Sequence, residues 1–230
     1  MIGIIGAMEV EIRNILAQMD NVKTKNIARV DYHQGELNGK PVLVALCGVG
    51  KVNAAHATSV MVANFKVDGI INVGVAGGIG SAVDIGDVVV SNDLVQHDVD
   101  VQAFDYERGQ VPGHPFAYFS ADADLVAAAK KAGDDVLLVH GRKLHIGRIA
   151  TGDQFIASPE VKAGIAENFN ALAVEMEGAA IAQICALTGT PFVVIRAISD
   201  KADGTAHEDF PAFVEQTAQI SAAIVAKMMS

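Results

Sequence analysis

The chain contains no tryptophan, only two cysteines, and aromatic residues at 5% of its 230 positions. Lacking Trp, it lacks one common platform on which a base can stack. Cys47 and Cys185 stand far apart in apolar surroundings, which reads as two small buried hydrophobes and excludes a disulfide-stapled scaffold. Basic residues are also scarce. Seventeen Lys and Arg against 27 Asp and Glu leave a net charge of −10, which argues against a nucleic-acid backbone or an anionic membrane surface as partner. No stretch supplies the roughly 18 uninterrupted apolar residues of a membrane span, and the opening MIGIIGAMEVEIRN has neither the positive start nor the long apolar run of a signal peptide. A cytoplasmic location is expected. No linker, repeat or low-complexity segment divides the chain, so a single domain over residues 1–230 is expected.

What is present is a strongly apolar sequence, 51% hydrophobic, in which strand and helix patterns alternate. IGIIGA reads as a strand, followed by Met8, Ile12, Ile15, Leu16 and Met19 at helical spacing. ARVDYHQGEL and KPVLVALC flank Asn38–Gly39, a pair suited to a type I′ turn, and predict an antiparallel hairpin. KVNAAHATSVMVANF reads as a helix, and DGIINVGVAGG, GDVVVSNDLVQ and RKLHIGRIATG as strands. Ser158–Pro159–Glu160 predicts a capped helix start. NALAVEME reads as a strand turning at Gly178 into a helix closed by Gly189, PFVVIRAIS as a central strand, and the last element as a helix from about Glu208. The expected fold is α/β, a three-layer αβα arrangement around a mixed central sheet, with ligands gathering beyond the strand ends.

Two of these apolar segments carry charges that a core does not explain. AVEMEGAAIA holds Glu175 and Glu177, and PFVVIRAISD ends in Arg196 and Asp200. Ions are rarely buried without partners, so these segments either end at a site or form a structural ion-pair network. On a strand, Glu175 and Glu177 share a face. A buried pair with Arg196 is the better reading for Glu175, and a functional role is the better one for Glu177, beside the turn at Gly178. Common motifs do not account for the charges. GIIGAM and GVGKVN match neither the dinucleotide fingerprint nor a P-loop, HExxH and GxSxG are absent, and QHDVD and AHEDF read as solvated loops rather than metal ligands. Glu9 and Glu11, taken singly, read as acids favoured by a helix start.

Taken together, IGIIGAMEVEI, CGVGKVNAA, INVGVAGG, GDVVVS, HDVDVQAF, TGDQFI, AVEMEGAAIA and VIRAISDKAD resemble, in order and along the whole chain, the methylthioadenosine/S-adenosylhomocysteine nucleosidases. The resemblance implies a nucleoside phosphorylase-like fold, a homodimer, no cofactor and no metal, and hydrolysis of the N-glycosidic bond of an adenine thioriboside. Residue by residue, it implies Glu11 beside the attacking water with Arg196 helping to hold it, and Asp200 beside N7 of adenine. It further implies Glu177 and the Met176 backbone on the ribose hydroxyls, Phe155 stacked on adenine, and the Ile156 backbone at the base edge. Gly77 would sit in the close-approach turn, with Met8 and Val101 also contacting substrate and Phe210 capping the partner's site. Val75 stands where family members often have Ser, removing a hydroxyl from the Gly-rich turn. A phosphorylase of the same fold, and a sensor that has lost catalysis, are the competing readings.

Overall fold

The computed structural model describes residues 1–139 and 141–230. Along the chain run β1 (Ile2–Gly6), α1 (Glu9–Leu16), β2 (Met19–Ile27), β3 (Val30–Leu37), β4 (Lys40–Leu46), α2 (Lys51–Asn64), β5 (Gly69–Gly78) and β6 (Val88–Gln96). After a 3-10 turn at Gln102–Phe104 come β7 (Phe119–Ser120), α3 (Ala123–Leu138), β8 (Leu144–Thr151), α4 (Pro159–Phe169), β9 (Ala173–Glu175), α5 (Gly178–Thr188), β10 (Phe192–Asp200) and α6 (Ala206–Met228).

The turn chemistry read from the sequence is in place. Asn38 and Gly39 have φ of 53° and 77°, the pair of positive values that a type I′ hairpin turn requires. Ser158 accepts from the Val161 N–H at 3.3 Å, Pro159 occupies the first turn of α4, and Gly189 closes α5 at φ 66°. Three readings are corrected. The helical pattern after β1 ends at Leu16, because Met19 opens the long edge strand β2, paired antiparallel to β3. The segment before β8 holds α3, which the apolar pattern left unassigned, and its cap is Asp122, accepting from Asp124 and Leu125 at 3.1 and 3.0 Å. Finally, β9 stops at Glu175, two residues short of the expected strand, and Glu177 is the residue from which α5 starts.

The sheet is mixed, as expected. β1 runs parallel to β4 and β5, and β5 parallel to β10, while β10 meets β6 antiparallel. β6 and β8 are parallel, β8 and β9 are parallel, and β9 returns antiparallel to β5 at Gly77 and Gly78. The pairings β5–β10–β6–β8–β9–β5 therefore close on themselves. Period-2 alternation divides the apolar residues between two faces. Ile5, Tyr32, Leu43 and Ala45 pack with Ala54, Ala57 and Met61 of α2 and with Ala179 and Ile181 of α5. Ile4, Val42, Val44, Ile71 and Val73 pack with Ile12 and Ile15 of α1, Ala129 of α3 and Ile224 of α6. Two helical layers thus cover the sheet, and the carboxyl ends of β1, β5 and β10 point the same way. That shared end is where charged side chains converge.

Candidate active site

A cavity of about 180 Å³ opens at those strand ends. Glu11, Gly77, Phe155, Ile156, Met176, Glu177, Met8, Asp200 and Phe210 line it, together with Val49, Val75, Gln154, Glu175 and Ser199. No Lys, Arg or His is among the described lining residues, whereas four are carboxylates.

Glu11 reaches the site from the first turn of α1, where it is buried. Its Oε2 accepts from the N–H groups of Ala7 at 2.7 Å and Met8 at 2.9 Å, and its Oε1 from that of Val75 at 3.0 Å. An ionised carboxyl offers about four acceptor positions, so one on Oε1 is left over. Burial raises the Glu11 pKa, against the pull of Arg196 and the three backbone donors. The side-chain hydroxyl that Val75 cannot offer leaves this arrangement standing, because the contact to Glu11 comes from the backbone.

Asp200 ends β10 at an irregularity in its pairing with β5, opposite Gly77. Its Oδ1 accepts from the Ala202 N–H at 2.8 Å and its Oδ2 from the Ser199 hydroxyl at 2.9 Å. Burial is the dominant influence and raises its pKa, with those two bonds opposing. A Cβ at Gly77 would lie 2.9 Å from Asp200 Oδ1 and from the Ala202 Cβ, so glycine is what lets strand and acid approach.

Behind Glu11 lies Arg196, fully buried and absent from the cavity wall. It donates to Glu175 and, at 2.6 Å, to Asn72 Oδ1; Glu177 Oε2 is 3.4 Å from its Nη2 and Glu11 Oε1 3.8 Å from its Nη1. Burial alone would lower the Arg196 pKa, but Glu175, Glu177 and Glu11 outweigh it and raise it. Any part Arg196 takes in holding the reacting water, as expected from the resemblance, would be played through Glu11, whose Oε1 is 3.8 Å from its Nη1. Arg196 sits one layer back, and its effect on the cavity passes through the carboxylates it holds. Gly74 makes the arrangement possible, since any Cβ there would overlap both Arg196 Nη1 and Glu11 Oε1. Nothing in the periodicity singled out Gly74; the available signal was its place in the Gly-rich NVGVAGG.

Glu175 and Glu177 have separate tasks. Glu175 accepts from Arg196, from Thr151 Oγ1 and from the N–H groups of Glu177 at 3.1 Å and Gly178 at 2.8 Å, so it pairs the arginine and caps the start of α5. This fits the ion-pair reading. Glu177 accepts from the Gly50 N–H at 2.8 Å. Burial, only partly offset by Arg196 and reinforced by Glu175, pushes it up to about 7. Phe155 is half exposed at the cavity mouth, and its ring meets that of Phe210 edge to face, at 5.7 Å and 81°. Phe210 lines its own chain's cavity, because the short connection after β10 returns the first turn of α6 to the same strand ends. Val101, just before the 3-10 turn, does not line the cavity.

The whole chain, residues 1–230, matches the family model described as the phosphorylase superfamily. It is 44% identical over 99% of its length to the 5'-methylthioadenosine/S-adenosylhomocysteine nucleosidase of Bacillus subtilis, covering 97% of that protein. The crystal structure of the Colwellia psychrerythraea nucleosidase of the same name, in complex with adenine, superposes with a TM-score of 0.95 at 44% identity, covering 99% of this chain and 93% of that one. The futalosine hydrolase of Helicobacter pylori superposes with a TM-score of 0.91 at 38% identity, covering 99% and 96%. Fold, cavity and sequence agree along the full length, and the chain belongs to the 5'-methylthioadenosine/S-adenosylhomocysteine nucleosidases of the phosphorylase superfamily.

Proposed function

We propose that this protein hydrolyses the N-glycosidic bond of 5'-methylthioadenosine and S-adenosylhomocysteine, releasing adenine and a thioribose, and so serves methionine salvage and the removal of S-adenosylmethionine by-products. The observation that carries this reading is one cavity walled by two buried carboxyls of raised pKa, Glu11 and Asp200, with an aromatic pair at its mouth. Glycosidic cleavage passes through a sugar cation and expels a base, so it needs an acid at the leaving group and a carboxylate beside the electron-poor ring. Asp200, whose pKa burial raises, gives its proton to N7 of adenine. Glu11 uses its remaining acceptor position for the attacking water, takes up the water's proton, and steadies the cation. Glu177 accepts hydrogen bonds from the ribose hydroxyls beside the Met176 backbone, Phe155 stacks on the base, and the Ile156 backbone reads its edge.

Water as nucleophile is favoured over phosphate by the same cavity. A phosphate dianion needs cationic donors, whereas the described wall offers four carboxylates, and the nearby Arg196 is already held by Glu175 and Asn72. Incubation with 5'-methylthioadenosine, with and without phosphate, tests this directly. Free methylthioribose and adenine are expected in both, and a 1-phosphate sugar would establish a phosphorylase instead. The similarity to a futalosine hydrolase supports aminodeoxyfutalosine as a second substrate to be assayed alongside.

We also read the enzyme as cytoplasmic and homodimeric. Two free cysteines suit a reducing compartment, and the large exposed side chains of Val52 and Phe104 suit an interface between copies. In this reading Phe210 stays with its own chain's cavity. Sedimentation of an active monomer at micromolar concentration would refute the dimer.

A further inference from the structure

Two segments that carried no function in the sequence, GVGKVN and QHDVD, meet behind the cavity wall. Lys51 Nζ pairs with Asp98 Oδ1 at 2.7 Å, Asp98 Oδ2 accepts from the Asp153 N–H at 3.0 Å, and Asp153 Oδ1 accepts from the Lys51 N–H at 2.8 Å. These three bonds form a closed ring joining the end of β6, the end of β8 and the first residue of α2. QHDVD is therefore not a solvated loop at Asp98: the Lys51 and Asp98 side chains are each only 18% exposed. Burial would raise the Asp98 pKa, but the Lys51 ammonium and the Asp153 N–H outweigh it and lower it, so the carboxylate stays ionised. Lys51 Nζ is tied again to Gln96 Oε1 at 3.1 Å.

None of the three residues lines the cavity, but Asp153 stands next to Gln154, which does, and Lys51 is two residues from Val49, which also does. Asp153 immediately precedes Gln154, Phe155 and Ile156, the segment read above as gripping the base. Lys51 immediately follows Gly50, whose N–H is bonded to Glu177 Oε1, the carboxylate read as gripping the ribose. Gly50 has φ of 99°, which non-glycine residues rarely adopt, and a Cβ there would lie 3.1 Å from Asp153 Oδ1. The backbone of α2's first turn thus presents consecutive N–H groups, Gly50 to Glu177 and Lys51 to Asp153, in a shape only glycine allows at close range.

We propose that Lys51, Asp98 and Asp153 are positioning residues, a ring that holds the base-gripping segment 154–156 in fixed register with the ribose-gripping carboxylate of Glu177. The proposal rests on the nucleosidase reading for what those two grips hold. The ring is tied to neither Glu11 nor Asp200, whose hydrogen-bond partners are Ala7 and Met8 just after β1, Val75 of β5, Ser199 of β10 and Ala202 just after it. Its loss therefore falls on substrate binding more than on the chemical step.

The test uses the full-length Lys51→Met and Asp98→Asn proteins and their double variant, with Lys51→Arg as the conservative replacement. Steady-state kinetics with 5'-methylthioadenosine, titration with adenine alone and melting temperature are the readouts. Losing a hydrogen bond to a charged group corresponds to about a tenfold change in binding, so KM and the adenine Kd should each rise about tenfold in Lys51→Met and in Asp98→Asn. The kcat should stay within about threefold, since binding shared by ground and transition states appears in KM. Lys51→Arg should recover most of the affinity. The double variant should be no worse than either single one, as expected of groups in one network. Unchanged KM in both single variants, or kcat and kcat/KM falling equally with KM unmoved, overturns the ring. If one variant fails to fold, the other still decides. A wild-type protein that neither binds adenine nor cleaves 5'-methylthioadenosine would instead overturn the functional reading, which separates the two failures.

Discussion

Glu177→Gln separates what Glu177 does for the ligand from what it costs the fold. Gln has nearly the same shape and can still accept the Gly50 N–H through Oε1, so the change removes the charge together with the long contact from Arg196 Nη2 to Oε2, at 3.4 Å. In the folded protein burial lifts this carboxyl from 4.5 to about 7. Between those values the native state holds a proton that the unfolded chain has released, so stability falls as pH rises through this window. At about 1.4 kcal/mol per pH unit the full penalty is about 3 kcal/mol, present above pH 7 and absent below about 4.5. Gln never incurs it. A domain of this size moves about 2–4 °C per kcal/mol, so the melting temperature of Glu177→Gln relative to wild type should be roughly 6–12 °C more favourable at pH 8 than at pH 4.5. Calorimetry at the two pH values measures that difference, and kinetics on the same samples should show KM raised and kcat lowered. Charge-assisted bonds of the kind the ribose would make are worth about 1.5–3 kcal/mol. A 2′-deoxy substrate closes the cycle: if the two deletions are strictly additive, Glu177 does not touch the ribose. Melting curves of the two proteins that run parallel from pH 4.5 to 8 would refute the buried-charge account itself.

Asp200→Asn should lower kcat by at least about 10²- to 10⁴-fold, the usual worth of general acid catalysis, with melting unchanged or raised at neutral pH; near wild-type turnover would remove Asp200 from the acid role. Glu11→Gln should lower kcat by orders of magnitude and also destabilise by about 1–3 kcal/mol, because the new amide must point a donor at the N–H of either Val75 or the Ala7–Met8 pair. A helix-start role alone would cost only about 0.3–1 kcal/mol and leave activity intact, so the kinetic assay decides. Gly74→Ala should destabilise the protein and abolish activity together, since its Cβ needs the space of Arg196 Nη1 and Glu11 Oε1; a stable, active variant would show that the ion network has slack. The kcat/KM profile should rise with an apparent pKa near 7 as Glu177 ionises, and a flat profile from pH 5 to 9 would contradict that assignment.

The sequence by itself determined the elements whose signals are local. Asn38–Gly39, Ser158–Pro159 and Gly189 announce their turns because the required backbone angles belong to those residue types, and the buried strands announce themselves by unbroken β-branched runs. It also placed Glu177 and Asp200 at segment ends, since an acid closing an apolar strand has nowhere cheap to be except a site. What only the tertiary structure decided depends on contacts between distant segments. Arg196 had to be seen behind the wall rather than in it, Phe210 over its own cavity, and Gly74 as the vacancy that Arg196 and Glu11 share. The ring of Lys51, Asp98 and Asp153 spans roughly a hundred residues of sequence, and no spacing rule predicts it. Helical and strand periods say which face a residue occupies, but not what stands opposite. Closure of β5 through β10 around the strand ends supplies that opposite face, and burial there is what raises the pKa of Glu11, Glu177 and Asp200.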